Sequence, residues 1–460
     1  MINPLFAIVF FVYLTVNQSV KTRRKNANDI ISSLQSEISH GFTKEKFVVD
    51  ARDFSRNRSL SFSVTLLFMV NFLTKSLSLE IVNFLSFLKR KEIPQKSFSK
   101  SAFVQARKKI KPEVFSYLNE KLIKEFYTDN SAVKTTFSGK RILSVDGSRL
   151  TLPRTWELEE IYGRTKNQTE TYIIQGKACV LYDVLNRIAI DGILSSVDTD
   201  ERIQAKQLLN SCRKGDLIIY DRGFASFDFM YEHKERQLDF VMRMRLDFSR
   251  VVKDFVAGGQ ASQVLAIYPG KNTNLKEKKY DENTSLTVRL LRIVLPGGEI
   301  EVLASSLEDE NQYKHKIFKD LYFERWKIET YYDELKNKLK IEEFSGYSNQ
   351  SILQDFYATL LVSNIQSLIV EEINEELQEE KDAKKYRYKV NTSLSYGFLK
   401  DRIIGLLFSN SDMNKTMEEL KALFKAHLIP IRPQRSNKRN IGKYRARAKP
   451  IISKNQKDSL

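Results

Sequence analysis

Between Arg141 and Leu152 the chain reads RILSVDGSRLTL, and between Asp216 and Phe224 it reads DLIIYDRGF. Both are short runs rich in Val, Ile and Leu, the composition of buried strands. Each ends on an aspartate, Asp146 or Asp221, with a glycine close behind. A carboxylate at the end of a buried strand is costly unless something cationic compensates it, and the glycine lets the backbone turn away and another group come close. Around these runs, QGKACVLYDVLNRIAIDGIL (175–194) reads as two paired strands joined by a turn at DVLNR, ERIQAKQLLNSC (201–212) as one helix, and LDFVMRMRL (238–246) as a strand. The order strand, hairpin, helix, strand, strand predicts a mixed α/β sheet. Two aspartates on neighbouring strands would repel each other, and a Mg²⁺ or Mn²⁺ ion with its preference for hard oxygen ligands resolves that repulsion. The plainer reading is that each aspartate merely starts a turn.

Outward from this core, 460 residues suffice for two or three domains. Lys and Arg total 75 against 57 Asp and Glu, a net charge of +18, which predicts a polyanionic partner, with nucleic acid ahead of an anionic membrane surface. Two cysteines exclude a disulfide framework, and four histidines leave no His-rich metal site; any metal must be held by carboxylates. Leu5–Val16 is a continuous apolar run of twelve residues, shorter than the ~20 needed to span a bilayer and poor as a signal peptide. Membrane insertion is not expected, and a cytoplasmic protein is. From 26 to about 130 the apolar spacing is helical, with Ser99 as a cap and a further helix after Pro112. The basic, Phe-bearing stretches DARDFSRNRSL (50–60) and KSFSKSAFVQARKKIK (96–111) read either as solvated helix faces or as part of a helical DNA-reading module. Residues 250–306 return to strand texture, as SLTVRLLRIVL and GGEIEVLASSL around a Pro-Gly-Gly turn, and predict an all-β insertion. From 312 the pattern is helical to about 427, interrupted by the acidic run EEINEELQEE (371–380), and the tail IRPQRSNKRNIGKYRARAK carries eight basic and no acidic residues, a ready arm for phosphates.

A third acid comes from LYFERWKIETYYDELKNKLKIEEF (321–344). Read as one helix at about 100° per residue, Tyr322, Arg325, Glu329 and Lys336 share a narrow stripe beside an apolar stripe of Leu321, Ile328, Tyr332, Leu335 and Leu339. Glu329 then stands at the border of core and solvent, able to reach a metal shared with the aspartates. The ordinary alternative is an Arg325–Glu329 salt bridge at four-residue spacing.

Taken in order, these motifs resemble those of a DDE transposase of a bacterial insertion sequence, in the group founded on insertion sequence four. The signature of that group is tyrosine, arginine, glutamate and lysine separated by two, three and six residues, and Tyr322, Arg325, Glu329 and Lys336 match it without a gap. SVDGSRL and DRGF correspond to the settings of its two aspartates, and DFSRNRSLSF, the ERIQA helix and RPQRSNKR extend the likeness over about residues 40 to 440. The acids are 75 and 108 residues apart, the longer gap holding the β insertion. The resemblance implies an RNase-H-like mixed sheet with flanking helices, interrupted by an all-β insertion and preceded by a helical N-terminal domain. It implies Asp146, Asp221 and Glu329 as catalytic ligands of Mg²⁺ (Mn²⁺ substituting), two ions per site, and Tyr322, Arg325, Lys336, Arg222, Trp326, Arg435, Lys438 and Arg439 as DNA contacts. Expected segments are an apolar and basic extension over 1–25, a helical DNA-binding domain over 26–135, the catalytic core over 136–248 and 309–375, the insertion over 249–308, and a helical, basic C-terminal region over 376–460. The implied activity is cut-and-paste transposition: cleavage of double-stranded DNA at the element's terminal inverted repeats and strand transfer to target DNA, by a homodimer in a synaptic complex, in a bacterial, nucleoid-associated setting. The rival expectations are a retained DNA-binding protein or nuclease of transposase ancestry that no longer transposes, and a membrane-associated basic protein.

Overall fold

The five strands read from the sequence are present, and their pairing is the frame of the molecule. In the computed structural model, which describes residues 26–432 except 57, 72, 74, 91, 93–94, 129–135, 167–171, 272, 277, 296, 380–385 and 410, the strands are β1 (Ile142–Thr151), β2 (Arg164–Lys166), β3 (Tyr172–Asp183), β4 (Ile188–Ser196), β5 (Leu217–Tyr220), β6 (Asp239–Met244), β7 (Ser262–Ile267), β8 (Leu286–Val294) and β9 (Ile300–Ser305). They lie in the order β4–β3–β1–β5–β6–β9–β8–β7, with β2 on the first residues of β3. β1 is antiparallel to β3 and parallel to β5, and β5 is parallel to β6. All four residues of β5, LIIY, are buried, as befits a central parallel strand covered on both faces. The apolar run 5–16 and the tail with Arg435, Lys438 and Arg439 lie outside the described residues, among which no helix is long and apolar enough to cross a membrane.

The stretch 249–308 corrects the expectation of an all-β insertion. It opens with a helix, Arg250–Gly258, and its strands are not a separate sheet. β9 pairs antiparallel with β6, and β8 and β7 follow, so they widen the core sheet. The physical reason is the outer edge of β6: an unpaired edge beside apolar side chains needs a cover, and β9, with Val302, Leu303 and Ala304 fully buried, supplies it. Strand periodicity reads the same whether a strand founds a new sheet or joins an old one.

Behind β4 runs the 31-residue helix Asn349–Glu379, about 45 Å long at 1.5 Å per residue. The acidic run 371–380, expected to interrupt this helix, continues it to Glu379. Its acids meet basic partners from neighbouring segments: Glu371 faces Arg187 at 3.5 Å, Glu372 Lys421 at 2.7 Å and Glu376 Lys425 at 2.6 Å. The N-terminal helices pack around this axis together with the C-terminal helices Thr392–Lys400, Ile403–Leu407 and Met413–Ala426. Ala27 N donates to Glu372 Oε2 at 3.0 Å, Gln35 Nε2 to the Phe408 carbonyl at 2.7 Å, and Lys400 Nζ reaches the buried Glu80 carboxylate at 3.1 Å. Helices from both ends of the sequence thus share one core. In the basic stretch 96–111, Arg107 is buried, bonded to Gln354, Ser345 and Asp355; it holds the fold together and is not free to read DNA.

Two measurements check this packing. A methyl group on Gly192 of β4 would stand 2.6 Å from Leu360 Cδ1 and 3.4 Å from Phe356 Cζ. Gly192→Ala is expected to cost about 1–3 kcal/mol, read as a lower midpoint in chemical denaturation; an unchanged midpoint contradicts the contact. Under β5 and β6, the helix Phe227–Glu235 carries His233, fully buried, with Nε2 3.0 Å from the Tyr220 hydroxyl and Nδ1 2.7 Å from the Phe229 carbonyl. Burial pushes its pKa down to about 4 from an ordinary 6.5. The unfolded chain therefore binds the extra proton first, so the stability held by neutral His233 is complete above pH 6.5 and declines as the pH falls toward 4. His233→Gln, less stable overall, should flatten the pH dependence of unfolding across that window.

Candidate active site

β1 and β5 bring the two aspartates together through their register. The last parallel partners are Ser144 and Ile219, with the Ser144 hydroxyl donating to the Ile219 carbonyl at 3.2 Å. Two residues further along the chain from each stand Asp146, in β1, and Asp221, directly after β5. Neighbouring strands lie about 4.8 Å apart, and residues two apart point to the same face. Asp146 is still within β1, opposite Val180 of β3, and its Oδ1 accepts from Gly147 N at 2.9 Å.

The third acid arrives on the helix Trp326–Asn337, which is tied along β1. The Tyr332 hydroxyl lies 2.8 Å from the carbonyl of Asp146 itself and 3.1 Å from that of Ala178. One turn on, Lys336 Nζ donates to the Arg149 carbonyl at 2.7 Å, and Glu334 is paired with Arg187 of the β3–β4 turn at 2.7 Å. Leu321, Ile328, Tyr332, Leu335 and Leu339, the expected apolar stripe, are all buried. Glu329 stands one turn before Tyr332, on the side of Asp146.

The segment 321–344 is not one helix, which corrects the single-helix reading. A helix over Ile317–Phe323 ends and another begins at Trp326. Between them Arg325 N, Lys327 N and Ile328 N donate three residues back, to Tyr322, Glu324 and Arg325. Such 3₁₀-type turns advance about 120° per residue, which eclipses side chains three apart, so Tyr322 stays in line with Arg325, whose guanidinium lies 5.9 Å from its ring. Tyr322 is buried, and its hydroxyl has no partner among the described residues. Arg325 is only 6 % exposed; its Nη2 donates to Glu329 Oε1 at 3.0 Å, its guanidinium lies 4.8 Å from the Trp326 ring, and its Nε is unpartnered. The ordinary salt bridge weighed from the sequence therefore exists, and it lies inside the acid cluster. Trp326 and Arg222 are exposed, and Lys336 is half-buried on the main chain of β1.

Charge links these groups. Asp146 is pushed up to about 6 by burial and by the nearby Glu329 and Glu201 carboxylates, against the Gly147 N–H and Arg325. The charges of Asp221 and Glu329 both act on Arg325, and that of Asp221 is felt at Tyr322. Arg325 is thus the common counter-charge of the three acids. Three carboxylates are the donors a hard divalent cation prefers, and their crowding is what such a cation relieves; as the side chains stand, no group of three or more among the described residues is arranged to hold a metal ion. Two residues near the aspartates escaped the sequence reading as individuals. Glu201 lies against Gly147, and Arg243 of β6, paired with Glu301 at 2.9 Å, follows Met242, the partner of Tyr220. The signal for Glu201 is the glycine after Asp146, which leaves room for a close neighbour.

An ionised acid that titrates near 6 when folded and near 4 when unfolded costs stability at neutral pH, and the cost shrinks as the pH falls from about 6 toward 4. Asp146→Asn in EDTA at pH 7 should therefore be more stable than the native chain, by about 1–3 kcal/mol. A lower melting temperature would mean that Asp146 serves the fold.

Residues 137–365 match the family model described as "Transposase DDE domain". Among curated proteins, the chain is 21% identical over 275 residues to "Transposase InsG for insertion sequence element IS4" of Escherichia coli (strain K12), covering 58% of this chain and 60% of that protein. It is 20% identical over 369 residues to "Transposase for insertion sequence element IS231F" of Bacillus thuringiensis subsp. israelensis, covering 71% and 74%. The first of these matches takes in less than two thirds of the relative's length. Among solved structures, the piggyBac transposase of a synaptic complex with hairpin DNA is similar at 13% identity and a TM-score of 0.40, over 95% of this chain and 88% of that one.

Proposed function

With residues 137–365 belonging to the transposase DDE domains, we propose that this protein is a transposase that binds the terminal inverted repeats of its own insertion sequence and carries out metal-dependent DNA cleavage and strand transfer. The observation that carries the reading is the tie of Tyr332 to the Asp146 carbonyl. It sets Glu329 beside an aspartate distant in sequence, and Asp221 comes level with both through the β1–β5 register. Asp146, Asp221 and Glu329 would hold two Mg²⁺ ions, or Mn²⁺ in their place. When bound, these supply Lewis-acid stabilisation of the attacking and leaving oxygens of an in-line displacement at phosphorus. The sheet through β6 and the helices on it act as an RNase-H-like scaffold for that trio.

The chain's own groups position the DNA. Arg325 uses one of its donors on Glu329 and keeps an unpartnered Nε; a guanidinium has five N–H donors in a fixed fork, so it bridges Glu329 and a backbone phosphate of the transposon end. The buried Tyr322 hydroxyl is a further donor beside Asp221. Lys336 joins as a point charge after releasing the Arg149 carbonyl. Trp326 and Arg222, both exposed, flank the cleft, Trp326 as a stacking surface. Arg435, Lys438 and Arg439 of the tail add phosphate contacts. Terminal-repeat and target DNA are the partners, and the protein works as a homodimer on paired ends, in the bacterial cytoplasm at the nucleoid.

The test is direct. Full-length protein, Mg²⁺ and DNA carrying the element's terminal repeats should give 3′ nicking at the repeat ends. Asp146→Asn, Asp221→Asn and Glu329→Gln should each lose about a hundredfold or more of that cleavage while still shifting the end DNA in a gel. Cleavage that is unchanged in Asp146→Asn, or that proceeds in EDTA, refutes the reading.

A further inference from the structure

A fourth acid stands against the site. Glu201 is the first residue of the helix Glu201–Leu208, behind its N-cap Asp200. Its carboxylate lies over Gly147: a methyl group there would be 3.1 Å from Glu201 Oε1 and 3.2 Å from its Cδ. Glycine at 147 is what lets a carboxylate from another element come this close to Asp146. The approach is built into the fold, because Gln204 Nε2 of the same helix donates to the Lys177 carbonyl of β3 at 3.0 Å, and Lys177 Nζ donates to the Thr199 carbonyl at 2.6 Å.

No protein cation answers Glu201, whose carboxylate has no hydrogen bond or ion pair among the described residues. The cations nearby are committed elsewhere. Arg202 binds Asp200 at 3.0 Å, Lys206 is paired with Asp228, and Lys177 is on a main-chain carbonyl. In a chain of net charge +18, an acid set beside another acid with no base drawn to it is an expensive arrangement. The opposite side of the cluster also lacks partners: the Tyr322 hydroxyl and Arg325 Nε belong to side chains 7 % and 6 % exposed and have none among the described residues, a pattern that buried polar groups show where a ligand completes them, an anionic oxygen in the case of the guanidinium N–H. Four carboxylates against one guanidinium leave a negative excess, and two divalent cations cancel the four carboxylates, freeing Arg325 for phosphate.

Resting on the metal-dependent reading above, we propose that Glu201 is a fourth acidic residue of the divalent-ion site, sharing an ion with Asp146 across Gly147.

The test is Mn²⁺ binding to the full-length protein without DNA, followed by calorimetry and by the electron paramagnetic resonance of free Mn²⁺. Glu201→Gln should weaken binding about tenfold or more or lose one bound ion, with a melting temperature in EDTA no lower than that of the native chain. Glu201→Asp should bind between the two. Native affinity and stoichiometry in Glu201→Gln, alongside lost binding in Asp146→Asn, overturn the inference and leave the catalytic reading standing. Native binding in both variants removes the reading itself. Native Mn²⁺ binding with a lower melting temperature assigns Glu201 to the fold and also overturns the inference.

Discussion

The parallel pairing of β1 with β5 is the constraint around which the rest is arranged. Two strands that run the same way end on the same lip of a sheet, so residues equally far past their last shared partners emerge side by side. Ser144 and Ile219 are those partners, and Asp146 and Asp221 are what emerges. An antiparallel pair would have sent the aspartates to opposite ends of the sheet. Parallel neighbours also require a long crossover, here β3, β4 and the helix Glu201–Leu208, and that crossover returns across β1 with its own acid at Gly147. The connection that permits the geometry therefore also adds to it.

Crowding carboxylates at a half-buried lip works against folding, and the surrounding structure compensates by fastening the helix that brings Glu329. Tyr332 is held at the Asp146 carbonyl, Lys336 at the Arg149 carbonyl, and Glu334 by Arg187. Arg187 itself has a left-handed backbone, φ 57°, in the β3–β4 turn, a conformation that costs a non-glycine residue of order 1 kcal/mol or more. That turn aims Arg187 at Glu334 and Glu371 together, joining the Glu329 helix to the long helix behind the sheet. Apolar packing of Ile328 and Leu335 does the rest.

Much of this was legible because apolar runs bounded by turns carry their own signal. β1, β3, β4, β5 and β6, the DVLNR turn and the Glu201–Leu208 helix stand where their composition put them. Asp146 and Asp221 were visible as acids at strand ends, and the buried side of the Glu329 helix as an apolar stripe. The losses have physical causes. A uniform advance of 100° per residue cannot register the tight turns at 324–328, so the break between the helices Ile317–Phe323 and Trp326–Asn337 leaves no mark in the apolar spacing. Strand texture over 262–305 could not say which sheet the strands would join. The acidic run 371–380 looked like a break in the helix because its partners, Arg187, Lys421 and Lys425, lie far away in the sequence. Glu201 was hidden for the same reason: a contact between residues 54 apart leaves a trace only in the glycine that gives it room. The grouping of Asp146, Asp221 and Glu329 as one proposed set rests more on the order of family motifs than on any one periodicity.

The long helix Asn349–Glu379 has a bearing on how the chain matures. Helices from residues 27–128 bury part of their apolar surface on it and on the helices that follow. A ribosome has delivered more than three quarters of the 460 residues before that axis is complete. The amino-terminal helices therefore wait, partly wet, through most of translation, their contacts among the most distant in sequence and the slowest to close. A product cut short by an early stop codon would lack the axis altogether.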